Sequence, residues 1–379
     1  MAEFCIRNPF SLGIVQNADD FCNRVDEKKE LMAHAINGDN VVLYSPRRYG
    51  KSSLVGRVQE ELENKGYRSI YVDLFPVISE NDFLLRIARA LYRGLGKGIN
   101  PKKFMEKAGD FFRMLTVEIT HEGYKFYARA ETSVPTEQQI EDLLAGMNSY
   151  VTKNKLRVIV VLDEFQEILC LPQAKRLEGI LRSQMQRHRD ISYFYVGSRR
   201  RVLQDMFSNK SRPFYKSAFS FILKEIPKTE FVPFIMVKFT NSGKMCPQDA
   251  AEEIYDLVRG YPYYVQKICS IIWDITDVKV SIPIVQDAYA KLVKAEKTEF
   301  DGIWSGLSLN QKKLLRAIAE EPTSSPYGKN FIAKYDLSVG GAQGAMKVLL
   351  NMDILEQYGA KKRVYRVTDP IMGAWAKSA

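Results

Sequence analysis

The sequence is poor in the residues that build disulfide frameworks and metal cages. Five cysteines, Cys5, Cys22, Cys170, Cys246 and Cys269, are scattered through 379 residues. They are odd in number and never form a C-x-x-C pair, which excludes a disulfide scaffold and gives no sign of a zinc site. The three histidines, His34, His121 and His188, lie far apart and read as ordinary surface or core residues. No apolar run approaches the roughly eighteen residues of a membrane span; the longest, Val158 to Leu162 and Phe231 to Val237, are short. The N-terminus carries Glu3 and lacks the charged, apolar and small-residue order of a signal peptide. Internal repeats and low-complexity tracts are missing too. These absences point to a soluble protein of the reducing cytoplasm, with no membrane partner.

What remains is a globular composition, 46% hydrophobic and 26% charged, with ample material for a buried core. A chain of this length suggests two or three domains, because single cores rarely grow past about 250 residues. Lys and Arg number 55 against 45 Asp and Glu, a net charge of +10. That sign suits phosphates, whether of nucleotide or nucleic acid, and acidic protein equally well.

Val41 to Tyr44 reads as a short apolar strand, followed by a turn-forming segment and a helical pattern from Lys51 to about Asn64. Further strands are expected at Ser69 to Leu74, Arg157 to Leu162, Ile191 to Val196 and Phe219 to Leu223, with helices between most of them. Such alternation predicts an α/β unit, a parallel sheet covered by helices on both faces. Residues 95–135 look like an insertion of a helix and a hairpin, Leu115 to Ala130. From Pro227 the strand signal fades, and Gly260-Tyr261-Pro262 marks a break between two helices of a small helical domain. Helices Asn310 to Ala319, Asn330 to Tyr335 and Val339 to Met352 follow. Strands Ile354 to Tyr358 and Arg363 to Val367 then flank a Gly359-Ala360-Lys361-Lys362 turn. Three helices and a hairpin make a winged-helix arrangement. The expected domains are therefore a core over 1–226, a helical lid over 227–303 and a winged helix over 304–379.

The segment Ser45 to Ser53, SPRRYGKSS, fits the phosphate-loop pattern G-x-x-x-x-G-K-[ST] except at its first position, where Ser45 replaces Gly. A strand enters and a helix leaves, so backbone N–H groups of Pro46-Arg47-Arg48-Tyr49-Gly50-Lys51-Ser52-Ser53 (Pro46 excepted, having none) are available to an anion at the helix N-terminus. Lys51 is placed to reach the β- and γ-phosphates of ATP, Ser52 to ligate Mg²⁺, and Gly50 to let the backbone approach closely. The strand ending in Asp163-Glu164 opens at the same edge of a parallel sheet. Asp163 is expected to hold the Mg²⁺ shell through water, and Glu164 to orient the attacking water.

Residues 175–216 hold eleven Lys or Arg against three acids, a surplus of eight out of the chain's ten. Gly197-Ser198-Arg199-Arg200-Arg201 follows a strand, so Arg199 is the candidate to contact a γ-phosphate in the same subunit. Most of the other cations read as a solvated basic face. Arg212, in SRPFY, is the candidate to act on a neighbouring subunit of a homo-oligomer.

Together these residues resemble the archaeal-type ATPases of the STAND branch of AAA+ P-loop proteins. The resemblance covers nearly the whole chain: NPFSLGIV with the Asn23-Arg24 and Glu27 region, PRRYGKSSL, YVDLF at Tyr71 to Phe75, VVLDEFQEI, GSRR and GYPYYVQ. It implies an AAA+ P-loop NTPase core, a helical lid and a C-terminal winged helix, with ATP or ADP held between core and lid. It also implies that Asn23 and Arg24 lie near the adenine pocket, that Arg199 is the sensor arginine and that Pro262 marks the lid element near the nucleotide. The expected function is a Mg-ATP-hydrolysing switch, slow as an isolated monomer, that signals to a protein partner. The rivals are a DNA-binding regulator with a secondary nucleotide site and a nucleotide-bound scaffold without turnover. The third winged-helix helix begins Ser338-Val339-Gly340-Gly341-Ala342, too small and uncharged to read base edges. Lys361, Lys362 and Arg363 leave only weak, nonspecific phosphate contacts with DNA.

Overall fold

The structure, a computed structural model, describes residues 7–10, 12–13, 21–112, 115–120, 123–128, 134–359 and 363–379. It divides into two compact units. One comprises Arg24–Ser45 and Lys51–Leu223; the other comprises Met1–Asn23, Pro46–Gly50 and Lys224–Ala379. No helix among the described residues is long and apolar enough to cross a membrane.

The first unit is α/β. It opens with α1 (Val25–Asn37), β1 (Val41–Tyr44), α2 (Lys51–Asn64), β2 (Arg68–Asp73), α3 (Glu80–Gly96) and α4 (Pro101–Phe112). A hairpin of β3 (Leu115–Thr120) and β4 (Gly123–Ala128) follows, then α5 (Thr136–Lys153), β5 (Val158–Asp163) and a 3-10 turn over Phe165–Cys170. The unit closes with α6 (Ala174–Met185), β6 (Ile191–Gly197), α7 (Arg200–Ser208) and β7 (Phe219–Ile222). Five strands form one sheet in the order β2-β5-β6-β1-β7, and every pairing is parallel. The inner strands β1, β5 and β6 are buried at every position, as strands covered on both faces must be. The outer strand β2 instead alternates, burying Ile70 and Val72 while Tyr71 and Asp73 face outward.

The free edge of β2 is covered by α3. A Cβ on Gly94 would collide with the Ser69 carbonyl oxygen and lie 2.7 Å from Ile70 Cγ1, so only glycine lets the helix backbone come this close. Arg86 of α3 donates to the carbonyl oxygens of Asp73 (2.9 Å) and Pro76 (2.7 Å), which satisfies edge acceptors that would otherwise recruit another chain. The helix and hairpin expected within 95–135 are α4 and β3–β4. Residues 129 and 130 of the expected hairpin, and His121, lie outside the described residues. The helix belongs to the core, since Phe104, Ala108 and Phe112 are buried with Leu91 and Tyr150.

Arg212 makes contacts that the sequence reading did not anticipate. Its guanidinium lies 2.8 Å from Glu178, a carboxylate with no solvent exposure, and 3.7 Å from Asp205. Arg212 therefore has carboxylate partners within its own chain.

The second unit is mostly helical: α8 (Lys228–Asn241), α9 (Gln248–Leu257), α10 (Pro262–Ile275), α11 (Ile282–Ser305), α12 (Leu309–Glu320), α13 (Lys329–Lys334) and α14 (Val339–Asn351). The antiparallel pair β8 (Leu355–Tyr358) and β9 (Val364–Val367) follows, then α15 (Pro370–Ala376), which the sequence reading did not anticipate. Ala360, Lys361 and Lys362 of the turn lie outside the described residues, as do Ser11, Ile14 and Val15 of NPFSLGIV. One core runs through both the expected lid and the expected winged-helix segments, including Tyr264, Ile268, Leu292, Phe300, Leu349 and Trp375. Polar contacts reinforce it: Tyr264 donates to Asp369 at 2.6 Å, and Arg259 donates to the carbonyls of Val367 and Thr368. Asp369 also caps α15, accepting from the N–H groups of Ile371 and Met372.

Gly94→Val is expected to destabilise the α/β unit by about 2–3 kcal/mol through overpacking, while Gly179→Ala, where a Cβ meets nothing within 4 Å, stabilises helix α6 by about 0.5–1 kcal/mol. Denaturant titration of both variants checks the contrast. Arg212→Ala should cost about 3 kcal/mol by leaving Glu178 unpaired. Burial already pushes the Glu178 carboxyl up, with Arg212 opposing that shift. A carboxyl whose folded pKa lies above its unfolded one costs stability as pH rises through the folded value, so the variant's deficit should be larger near about pH 8 than near about pH 5.

Candidate nucleotide site

The chain leaves β1 through buried Ser45 and enters α2 at Lys51. Between them Arg48 (φ 62°) and Gly50 (φ 84°) adopt left-handed backbone, a geometry that turns successive N–H groups toward one side. A Cβ on Gly50 would meet nothing within 4 Å, and the first turn of α2 carries no acidic residue. No acid of the helix itself therefore offsets its positive end. Lys51, only 5% exposed, donates from Nζ to the Ser45 carbonyl oxygen at 3.1 Å. Ser45, standing where the phosphate-loop pattern has glycine, thus holds the lysine beside the loop.

The acidic strand tip comes to the same helix end. Ser52 Oγ donates to Asp163 Oδ2 at 3.0 Å, and the Tyr71 hydroxyl donates to the same oxygen. The other oxygen, Oδ1, accepts from the Glu164 N–H at 2.9 Å. Burial, and then the Asp163 charge, push the Tyr71 phenol well up, so it remains a protonated donor. Glu164 is itself left-handed (φ 51°), which turns its carboxylate toward the end of β6. There Oε2 accepts from Ser198 Oγ (2.9 Å) and N (3.3 Å) and from Gln166 Nε2. Gly197 makes room for this arrangement, since a Cβ would collide with Gln166 Oε1 and lie 2.8 Å from Leu203 Cδ1.

Two hard oxygen donors of Ser52 and Asp163, held at hydrogen-bond distance at a helix N-terminus, fit Mg²⁺. Lys51, Ser52, Asp163 and Glu164 are therefore assembled around the ends of β1, β5 and β6. Arg199 is exposed at the head of α7, with no ion pair among the described residues. Arg24 is 4% exposed, left-handed at the start of α1 and paired with Glu27 at 2.7 Å; its Nη2 has no partner among the described residues. Asn23, also left-handed, falls in the helical unit.

The loop tip, Pro46–Gly50, belongs to that helical unit. Tyr261 donates its hydroxyl to the Arg47 carbonyl oxygen and packs edge-on against Tyr49, with centroids 4.6 Å apart. Arg48 lies 4.4 Å above the Tyr263 ring and contacts Glu296 (3.4 Å) and Glu299 (3.3 Å). Glu296 is buried and also pairs with Lys267. Pro262, the first residue of α10, sits between the two tyrosines that engage the loop. Tyr49 reaches Glu225 at 3.5 Å, and Glu225 pairs with Arg366 of β9 at 2.7 Å.

Sequence reading missed Tyr71, Gln166 and Ser198 as site residues. All three stood within segments already singled out, YVDLF, VVLDEFQEI and GSRR, but the contacts of Tyr71 and Ser198 depend on strand register. Gln166, two residues after Glu164, left no periodic signal because it lies on a 3-10 turn.

Residues 21–268 match the family described as an ATPase domain predominantly from Archaea, and residues 298–378 match a family described as a probable winged helix domain. No curated protein matches the chain in sequence. Its fold is similar to that of a Walker-type ATPase of Pyrococcus abyssi, with TM-score 0.70 and 18% identity over 97% of this chain and 99% of that one. It is also similar to the Aeropyrum pernix ORC2 protein in its ADPNP-ADP complexes, with TM-score 0.58 and 16% identity over 94% and 93% of the two chains. At such identities the likeness speaks for fold alone, that of an AAA+ P-loop core with a C-terminal winged helix. Since the first match spans well over half of its length, the chain belongs to the family of ATPase domains found predominantly in Archaea.

Proposed function

We propose that the protein is a Mg-ATP-binding and hydrolysing molecular switch of the STAND type. The observation that carries this reading is the 3.0 Å contact of Ser52 with Asp163 beside a buried lysine at the start of α2. In this reading the N–H groups of Arg47 to Ser53 and the Lys51 ammonium bind the phosphates of ATP or ADP. Ser52 would ligate Mg²⁺ and Asp163 would hold it through water, and the metal would supply neutralisation of phosphate charge. Glu164 orients the attacking water through Oε1, to which no described residue donates, while Ser198 and Gln166 fix Oε2. Arg199 stabilises charge on the transferring phosphoryl group from within the same subunit. Asn23, Arg24 and Pro262 border the nucleotide. The ORC2 relative holding ADPNP and ADP supports this ligand class.

The coupling is supported by the loop tip. Arg47, Arg48 and Tyr49 are bound by residues of α10, α11 and, through Glu225, β9. A change in the loop on nucleotide binding or loss therefore bears directly on those helices. We assign 1–226 to the core, 227–303 to the lid and 304–379 to the winged helix. Val339 and Val348 of α14 and Met352 just after it are exposed apolar residues, which favours a protein partner for the winged helix over base readout; DNA contact is weak and nonspecific. Cys170, Cys246 and Cys269 stand as thiols, in keeping with a reducing cytoplasm.

Lys51→Ala should weaken binding of a fluorescent ATP analogue roughly 100-fold, the loss of a charged donor to phosphate. Glu164→Gln should bind it as wild type does while kcat falls by roughly 100- to 1,000-fold. Equilibrium titration and phosphate release separate the two effects, and wild-type turnover in the glutamine variant would sink the water-orienting role.

A further inference from the structure

Asp163 offers a carboxylate with about four acceptor directions, and the structure accounts for three. Ser52 and Tyr71 share Oδ2, and the Glu164 N–H takes one direction of Oδ1. Ser52 can give its hydrogen to Asp163 and still present lone pairs to a cation, so its contact is compatible with an occupied metal site. Tyr71 gives its one hydrogen to the same oxygen, which fills the second lone pair of Oδ2 and leaves one direction, on Oδ1, for a metal-bound water.

The strand register explains why a residue from the sheet edge can do this. Tyr71 pairs with Val161 and Asp73 with Asp163 in the β2–β5 ladder, so Tyr71 and Asp163 share a face, two residues apart along neighbouring strands. A phenol is long enough to bridge that diagonal, whereas Asp73, directly opposite Asp163, accepts at Oδ1 from the Phe75 N–H at 2.9 Å. The Tyr71 ring is 42% exposed and borders a groove of about 650 Å³ between α2 and α3. A half-exposed ring contributes little packing, which directs attention to its hydroxyl.

We propose that Tyr71 is a positioning residue for the magnesium site: its hydroxyl locks the Asp163 carboxylate in the one rotamer that presents Oδ1 to a metal-bound water. The proposal rests on the Mg-ATP reading above. Without the hydroxyl, Asp163 turns about its terminal torsion, and solvent competes for Oδ2. A hydrogen-bond partner that orients a metal-holding group is typically worth about tenfold or more in metal affinity.

The test is Tyr71→Phe, which deletes one oxygen and keeps the ring. Binding of a fluorescent ATP analogue is titrated with Mg²⁺, and Mn²⁺ binding to the nucleotide complex is followed by electron paramagnetic resonance. Half-saturation by Mg²⁺ and the Mn²⁺ dissociation constant should both rise roughly tenfold. Nucleotide affinity in EDTA should stay within about twofold of wild type, since the phosphate loop is untouched. Tyr71→Leu, which removes the ring too, should show the same metal defect. Unchanged metal half-saturation in Tyr71→Phe overturns the proposal, as does a parallel fall of affinity in EDTA, which marks a merely structural role. A wild-type protein that binds the analogue equally with and without Mg²⁺ overturns the magnesium reading itself, and is told apart because it needs no variant.

Discussion

The hydrogen bond from Ser52 to Asp163 joins the first turn of α2 to the tip of β5, and each end of it is set by the sheet. Strand β5 is buried on both faces and paired with β2 on one side and β6 on the other, so it cannot shift without breaking two hydrogen-bonded ladders. That rigidity fixes where Asp163 emerges. The next residue, Glu164, reverses direction through a left-handed conformation that costs about 1 kcal/mol for a residue with a Cβ. Two acids adjacent in sequence thereby point to different partners, one to α2 and the other to the end of β6. Had the chain continued as strand, the two carboxylates would have faced opposite sides of the sheet.

The loop tip is governed by another constraint. Glu296 is a buried carboxylate, and a lone charge in that environment is strongly disfavoured. Lys267 and Arg48 both approach it, and Arg48 does so from a left-handed backbone position. The strain at Arg48 is offset by an ion pair to a desolvated partner, a second carboxylate at Glu299 and the face of Tyr263. The double arginine of the phosphate loop is thus divided in its tasks: Arg47 contributes its carbonyl oxygen, whereas Arg48 contributes its charge. Both tasks bind the loop tip to α10 and α11, within the helical unit.

Much of this was legible in the sequence, and the remainder failed for physical reasons. Strands β1, β5 and β6 announce themselves because double-sided burial writes an unbroken apolar run, and α2 does so because Gly50-Lys51-Ser52 opens a helical period. The parallel order follows from alternation. The partner of Arg212 was not legible, because Glu178 lies on α6, thirty-four residues earlier, and pairs with it only through tertiary packing. Tyr71 was hidden for a similar reason: diagonal contacts across a ladder depend on register, which no local pattern encodes. Helix α15 was missed because seven residues carry little periodicity, although Asp369 before Pro370 is a recognisable start, an acceptor at the cap and a proline at the first turn.

The basic segment 175–216 shows how topology redistributes a charge surplus that looks continuous in sequence. Arg187 and Arg189 precede β6, and Arg199 to Arg201 follow it. A seven-residue strand spans about 20 Å, so these two groups open at opposite edges of the sheet. Arg212 is neutralised by Glu178, Arg176 approaches Glu137 at 3.4 Å, and Lys216 stacks over Tyr215. The cations therefore do not line up as one track for a nucleic-acid backbone. Only those after Gly197 share an edge with Asp163, and of these Arg199 lies nearest the strand end, one residue beyond the serine that holds Glu164.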